Sequence, residues 1–367
     1  MAENDDKPRD VAPPQGPLLT REVFLDTEAY RRVGFDVTRP SIAALISHVA
    51  NERLELHTTD ITLQEIKRQI AVEADKVVDE IRRARRTLDK WRARAPRALG
   101  KKTKGRKIDA AAVGEEAFDS FRHALAPFNV HRASEQDAKA IFEDYFARRP
   151  PFDGEGGKSV KEFPDAFVIA NLNEWCRIED TFMYVVTHDR AMLRAAEAHD
   201  RLIPVSTLEG LLQTVTLQHS PDVLQTVDVI LDDPGFADQL NDAIDRSIGD
   251  LEVTYVGELY DGEASDPQRA GDPRITKWTV ISAFDKRYGV IIECDLELLV
   301  QVGYEDLSMA SYDTEDDVYI GGEAATDEVE EEVSLRFFVN FDETGAVRRA
   351  EILTPEVTIY GPHDTYK

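Results

Sequence analysis

Cysteine is nearly missing from this chain, with only Cys176 and Cys294 among 367 residues. The two lie far apart in different apolar patterns, so buried free thiols are expected rather than a disulfide. No Cys/His spacing of a zinc motif is present. Long hydrophobic runs are missing as well, and none approaches the ~18 apolar residues that a membrane span needs. The first ten residues, MAENDDKPRD, are polar and acidic and lack the apolar centre of a secretory signal. A cytoplasmic location is the expectation that follows. Pro13, Pro14 and Pro17 fall within residues 1–20, which suits a disordered tail. No internal repeat is visible.

Positive charge is scarce overall, with 44 Lys/Arg against 71 Asp/Glu and a formal net charge of -27. As an average, that balance argues against a nucleic-acid partner. Its distribution argues the other way. Residues 221–367 hold 35 acids and 10 Lys/Arg, whereas residues 1–220 hold 36 acids and 34 Lys/Arg. Residues 82–107 carry 13 Lys/Arg and a single acid, Asp89. Arg82, Arg83, Arg85, Arg86, Lys90, Arg92, Arg94, Lys101, Lys102, Lys104, Arg106 and Lys107 are candidates to track a phosphate backbone, with Trp91 available for base stacking. A solvated helix face, or a surface paired with the acidic half, is the plainer alternative.

Hydrophobic periodicity divides the chain in the same place. EVFL (22–25) and LELHTT (54–59) read as strands, PSIAALISHVA (40–50) as a helix, and the stretch 63–95 as a long helix capped by Asp60 or Thr62. KKTKGRK (101–107) reads as a charged, mobile loop. Helices are expected over roughly 113–125 and 134–147, with a loop RRPPFDGEGGKS after them. Then FPDAFVIANLNEWC reads as a helix with Pro164 near its start, TFMYVVT (181–187) as a buried strand, RAMLRAAEAH as a helix, LIPVS (202–206) as a strand and TLEGLLQTV as a short helix. This alternation predicts an α/β domain over 21–217, with a mostly parallel sheet between helical layers and a basic helical insertion at about 75–160. Beyond residue 220 the pattern predicts a helix near 235–246 and several antiparallel strands, forming an acidic β-rich domain over 221–367. In IIECDLELLV, Ile292, Cys294, Leu296 and Leu298 alternate with acids, as in a strand with one buried face. GEAATDEVEEE (322–332) reads as an acidic loop.

Four acids occupy positions where such a fold gathers chemistry. Asp26 and Asp189 follow apolar strands, where parallel sheets place ligand crevices. Glu65 and Asp165 are expected in the first turns of their helices. Carboxylates brought together repel unless they are protonated or bridged by a cation. Mg²⁺ or Mn²⁺ would accept such oxygen donors and keep positions open for a phosphodiester and a water. Each acid alone reads equally as a helix cap or a solvated residue.

The order of the four residues adds information that the single positions lack. VFLDTEAY (23–30), TTDITLQEIKRQI (58–70), KEFPDAFVIANL (161–172) and VVTHDRAML (185–193) resemble the PIN-domain nuclease superfamily, specifically its PIN-like branch, over about 21–217. The resemblance assigns the metal-binding acids to Asp26, Glu65, Asp165 and Asp189. It implies a three-layer PIN-like domain and a Mg²⁺- or Mn²⁺-dependent endoribonuclease acting on single-stranded RNA. Family members are often toxins or defence effectors, and they leave a 3′-hydroxyl and a 5′-phosphate. A structure-specific DNA nuclease and a catalytically inactive nucleic-acid-binding module are the alternatives. Glu162, three residues before Asp165, and Thr187, two before Asp189, are added as catalytic candidates. Asn171 and Asn173 read as capping, surface or packing residues, and Lys161 and Arg190 as phosphate contacts or as solvated or ion-paired cations. His188 is not expected to be a ligand, because hard cations prefer oxygen. The acidic C-terminal domain is expected to regulate the basic segment, within the chain or through a partner protein.

Overall fold

The computed structural model describes residues 16–99, 107–153, 161–308, 310–313, 318–354 and 356–361. The expectations for a tail before residue 16 and for a loop at 101–106 lie outside these residues. The chain divides into two compact units, one ending at Thr214 and the other beginning at Val215. Among the described residues, no helix is long and apolar enough to cross a membrane.

In the first unit, β1 (Glu22–Leu25) leads through α1 (Thr27–Arg31) and α2 (Pro40–Ala50) to β2 (Glu55–Thr59). Next come α3 (Asp60–Arg94), α4 (Pro96–Leu99), α5 (Ala110–Leu125) and β3 (Asn129–His131). A 3-10 turn at Ala133–Glu135 precedes α6 (Ala138–Ala147), α7 (Phe163–Ile178), β4 (Met183–Val186), α8 (Arg190–Glu197), β5 (Leu202–Val205) and α9 (Leu208–His219). The helix expected over 134–147 therefore starts four residues late, because Asp137 caps it by accepting from the Lys139 backbone N–H. The sheet order is β3-β2-β1-β4-β5, and every pair is parallel. Such strands are covered on both faces, which is why MYVV in β4 is buried throughout. Phe24, Met183 and Val185 pack toward α7 and α8. The alternate residues Val23, Leu25, Tyr184 and Val186 are buried on the opposite face.

Helix α3 is about 52 Å long by its helical rise. Thr59 caps it, accepting from the Thr62 backbone N–H at 3.0 Å, so neither Asp60 nor Thr62 is the cap. Such a cap contributes about 1 kcal/mol. Thr62, Ile66, Ile70, Ala74 and Val78 form its buried stripe, and no residue beyond Val78 is buried. Helix α5 lies along this root. Gly114 permits a close approach, since a Cβ there would stand 3.2 Å from the Ala71 Cα. The region 75–160 is thus more than a helical insertion, because it also supplies the edge strand β3.

After the end of α9, the second unit continues with α10 (Val223–Leu231), which the sequence pattern missed, and α11 (Pro234–Ile248). The strands are β6 (Glu252–Val256), β7 (Glu263–Arg269), β8 (Arg274–Phe284), β9 (Arg287–Asp306), β10 (Ser311–Asp313), β11 (Val318–Ile320), β12 (Glu323–Asp342), β13 (Val347–Ile352) and β14 (Glu356–Tyr360). β9 and β12 pair antiparallel along their whole length, from Arg287 opposite Asp342 to Asp306 opposite Glu323. The acidic stretch 322–332, expected as a loop, is mostly strand. Val329 and Val333 supply its buried face, while Glu328, Glu330 and Glu332 point to solvent. β6 and β14 form a separate parallel pair. Cys294 is a buried free thiol here, as Cys176 is in the first unit.

Candidate functional site

β1 and β4 are neighbours in the sheet although β2 and β3 intervene in sequence. The chain winds outward from β1 in one direction through β2 and in the other through β4. Crevices at the carboxyl ends of parallel strands open at such a reversal. Asp26 ends β1 there, with its backbone N–H donating to the Val186 carbonyl at 3.0 Å. Thr187 directly follows β4. Its hydroxyl donates to Asp26 Oδ2 at 2.8 Å and accepts from the Asp189 backbone N–H at 3.0 Å. One fully buried hydroxyl thus ties the two strand-end acids together.

The helices bring in the other two acids. Glu65 lies in the second turn of α3, because that helix begins at Asp60, one turn earlier than the sequence suggests. Its Oε2 accepts from the Thr27 hydroxyl at 3.0 Å. Asp165 stands in the first turn of α7, with Pro164 beside it. Glu162 immediately precedes that helix and faces Asp165 electrostatically. Asp189 caps α8 by accepting from the backbone N–H groups of Ala191 and Met192 at 2.6 and 3.1 Å. The cap and a role in a site are compatible, because both cap hydrogen bonds fall on Oδ1.

Two of the four acids feel the charges of the others. Burial pushes the Asp165 carboxyl up to about 9, reinforced by the negative charges of Asp26, Glu65, Asp189 and Glu162. Burial likewise raises Asp26 to about 6. The Thr187 hydrogen bond opposes this shift, and the charges of Glu65 and Asp189 add to it. A carboxyl raised by its neighbours is one whose charged form lacks compensation, which a cation supplies. The donors are all oxygen, the chemistry of Mg²⁺ and Mn²⁺ sites. The residues present therefore suit such an ion.

Sequence reasoning missed the flanking pieces. Thr27 holds Glu65 in place. Arg194 of α8 makes a two-pronged ion pair with Asp153 at 2.8 and 2.9 Å. Arg194 in turn senses the negative charges of Asp189 and Glu162. The pairing of Asp153 with Arg194 spans 41 residues, so no local pattern announces it. Asn171 donates to Gln136 Oε1 at 3.4 Å.

The basic segment is not beside the acids. About 26 Å of helix axis separates Glu65 from Arg82, and about 44 Å separates it from Arg94. Arg82, Arg83, Arg85, Arg86, Lys90, Trp91, Arg94 and Lys107 are exposed. The Arg94 guanidinium stacks over the Trp91 ring at 5.4 Å. Arg82 is paired with Asp79 and Arg92 with Asp89. Lys101, Lys102, Lys104 and Arg106 lie outside the described residues.

A second set of ligand-bearing side chains was also missed. Glu22, Glu55 and His57 are the one group of three among the described residues whose donor atoms all lie within 4.8 Å of one another. They sit toward the amino ends of β1 and β2, about 13 Å of strand from Asp26. The four acids form a more open set.

Residues 23–192 match the family model described as PIN domain. No curated protein and no solved structure matches the chain. The matched segment begins in β1, ends in α8 and contains all four acids. The match supports a nuclease of the kind that uses divalent metal ions and binds nucleic acid.

Proposed function

We propose that the chain, whose residues 23–192 match the PIN-domain family model, is a metal-dependent endoribonuclease hydrolysing phosphodiester bonds in single-stranded RNA. The observation that carries this reading is the Asp165 carboxyl, raised by burial and by four surrounding carboxyls. Asp26, Glu65, Asp165 and Asp189 would hold Mg²⁺ or Mn²⁺. When bound, the ion lowers the pKa of an attacking water and stabilises charge on the phosphate and the leaving oxygen. The chain's own residues fix the geometry. Thr187 sets the spacing of Asp26 and Asp189, Thr27 orients Glu65, and Glu162 adds negative charge beside Asp165. In the hydrolysis, a water oxygen bonds to phosphorus and the bond from phosphorus to the 3′ oxygen breaks. The departing oxygen takes up a proton, leaving a 3′-hydroxyl and a 5′-phosphate.

Preference for unpaired strands draws support from aromatic rings near α7. Phe142 and Phe146 are 46% and 79% exposed. Phe142 lies 5.3 Å from Phe163, which opens α7 two residues before Asp165. Exposed rings stack unpaired bases and have no access to bases inside a duplex. The arm of α3 would add phosphate contacts farther along the strand, and the acidic second unit would restrain them.

The test incubates the purified chain with single-stranded RNA, single-stranded DNA and duplexes in Mg²⁺, Mn²⁺ or EDTA. Metal-dependent cleavage of RNA, lost in Asp165→Asn, is expected. Cleavage of DNA alone would replace this reading with a DNA nuclease. Salt-sensitive binding with no cleavage of any substrate would replace it with a binding module. Activity surviving Asp165→Asn would point to a contaminant.

A further inference from the structure

The cluster at the amino ends of β1 and β2 has its own logic. Glu22 and Glu55 stand directly opposite each other in the parallel register, and Phe24 and His57 form the next pair on the same face. Like charges in that relation are unfavourable unless something neutralises them. His57 is only 1% exposed, and both of its ring nitrogens are engaged. Nε2 lies 2.5 Å from Glu22 Oε2, and Nδ1 lies 2.7 Å from His131 Nε2 on β3. The Trp175 ring of α7 packs on both imidazoles, at 4.6 and 5.1 Å between centroids. Arg21 holds one oxygen of Glu55 at 2.5 Å.

We infer that Glu22, Glu55 and His57 form a binding site for a borderline divalent transition ion of the Zn²⁺ class, separate from the acids around Asp165. An imidazole nitrogen with two carboxylate oxygens is a donor set that Zn²⁺ accepts, with a water completing four-coordination. Mg²⁺ selects against it, since it favours oxygen donors alone. The second partner that a metal-bound imidazole requires is in place, because His131 stands behind Nδ1. Trp175 restricts both rings, so the donor is oriented before any ion arrives.

An ion on Nε2 would replace the direct contact between His57 and Glu22, while the Nδ1 contact with His131 stays in place. The ion would clamp β1 to β2 directly, and the His57–His131 contact would extend the hold to β3.

The inference stands apart from the nuclease reading, and its test uses no activity. The full-length chain is dialysed against Zn²⁺ in excess Mg²⁺, which occupies oxygen-only sites. One Zn²⁺ bound per chain is expected. Glu22→Gln and Glu55→Gln should each weaken binding by roughly tenfold or more, and Asp165→Asn should leave it unchanged. Glu55 has a 43% exposed side chain, so Glu55→Gln keeps the fold. Substitution by Co²⁺ should give the intense visible bands of a four-coordinate ion, lost in Glu55→Gln. Nitrogen-15 imidazole spectra should show the His57 Nε2 resonance shifting on loading. Zn²⁺ binding that ignores both glutamates, binding lost in Asp165→Asn, or an unmoved His57 Nε2 resonance would each overturn the site.

Discussion

Asp165 is buried among acids, and the cost of that arrangement shows in how stability depends on pH. Its folded pKa of about 9 lies far above the ordinary value of 3.8, so between these values the folded state holds a proton that the unfolded state has released. Stability therefore falls as pH rises through that window, and the favourable contribution is complete only below it. Asp165→Asn removes this dependence. In EDTA the variant should be more stable than the wild type at pH 8.5 by roughly 1–3 kcal/mol, the scale of an uncompensated buried polar group, while losing activity. Urea unfolding at pH 6 and 8.5 checks this, and a gap that fails to widen with pH would sink the argument. Thr187 makes a complementary prediction. Its hydrogen bond lowers the Asp26 pKa, which otherwise climbs through burial. Thr187→Val keeps the buried shape and removes the donor. Asp26 should then ionise at higher pH, moving the acid limb of the pH–rate profile in Mn²⁺ upward. An unmoved limb would show that Asp26 does not govern it. The four acids were legible because each sits at a defined place in its element and their order is informative. Thr27, Arg194 and the pair His57 and His131 were not, because their partners are 38 to 74 residues away and only the fold joins them.

Elements of strong periodicity declared themselves, and short or highly charged ones did not. β3 has three residues, too few for an alternation to register, and is ordered by pairing with β2. β12 begins with a run of acids that depresses β-propensity, yet β9 supplies a full-length partner and Val329 and Val333 supply buried anchors. The basic stretch of α3 was legible as charge but not as distance. Its first candidate, Arg82, lies about 26 Å along the helix from Glu65, about seven or eight nucleotides at the 3.4 Å spacing of a stacked strand. A combined Arg82→Glu, Arg83→Glu, Arg85→Glu and Arg86→Glu variant should therefore discriminate by substrate length. Cleavage of a 5-nucleotide RNA should be nearly unchanged. Affinity for a ~20-nucleotide RNA should drop by an order of magnitude or more at low salt, with a shallower salt slope. Equal losses on both substrates would place the arm at the cleavage site instead. Those four residues lie beyond the last buried position of α3, so the folded core should tolerate the change.

At the scale of the whole molecule, the acid excess beyond residue 220 and the basic arm of α3 make regulation an electrostatic question. Glu328, Glu330 and Glu332 alternate along the exposed face of β12, one source of a negative surface that competes with RNA for cations. Removing residues 221–367 outright would be an imprecise test. The second unit begins at Val215 within α9, and Leu217 packs on its core, so the cut would strip apolar cover from the helix that remains. Replacing the three glutamates by glutamine removes three charges and keeps the strand pairing intact. If the acidic unit restrains the arm, this variant should bind single-stranded RNA several-fold more tightly at low ionic strength. The difference should vanish as salt screens exposed charges. It should also vanish when the arm itself carries the four Arg→Glu changes, because the two surfaces then no longer attract. A gain in affinity that persists without the basic arm would mean that the acids repel RNA directly. No gain in either background would mean that the charge segregation plays no part in access to the site.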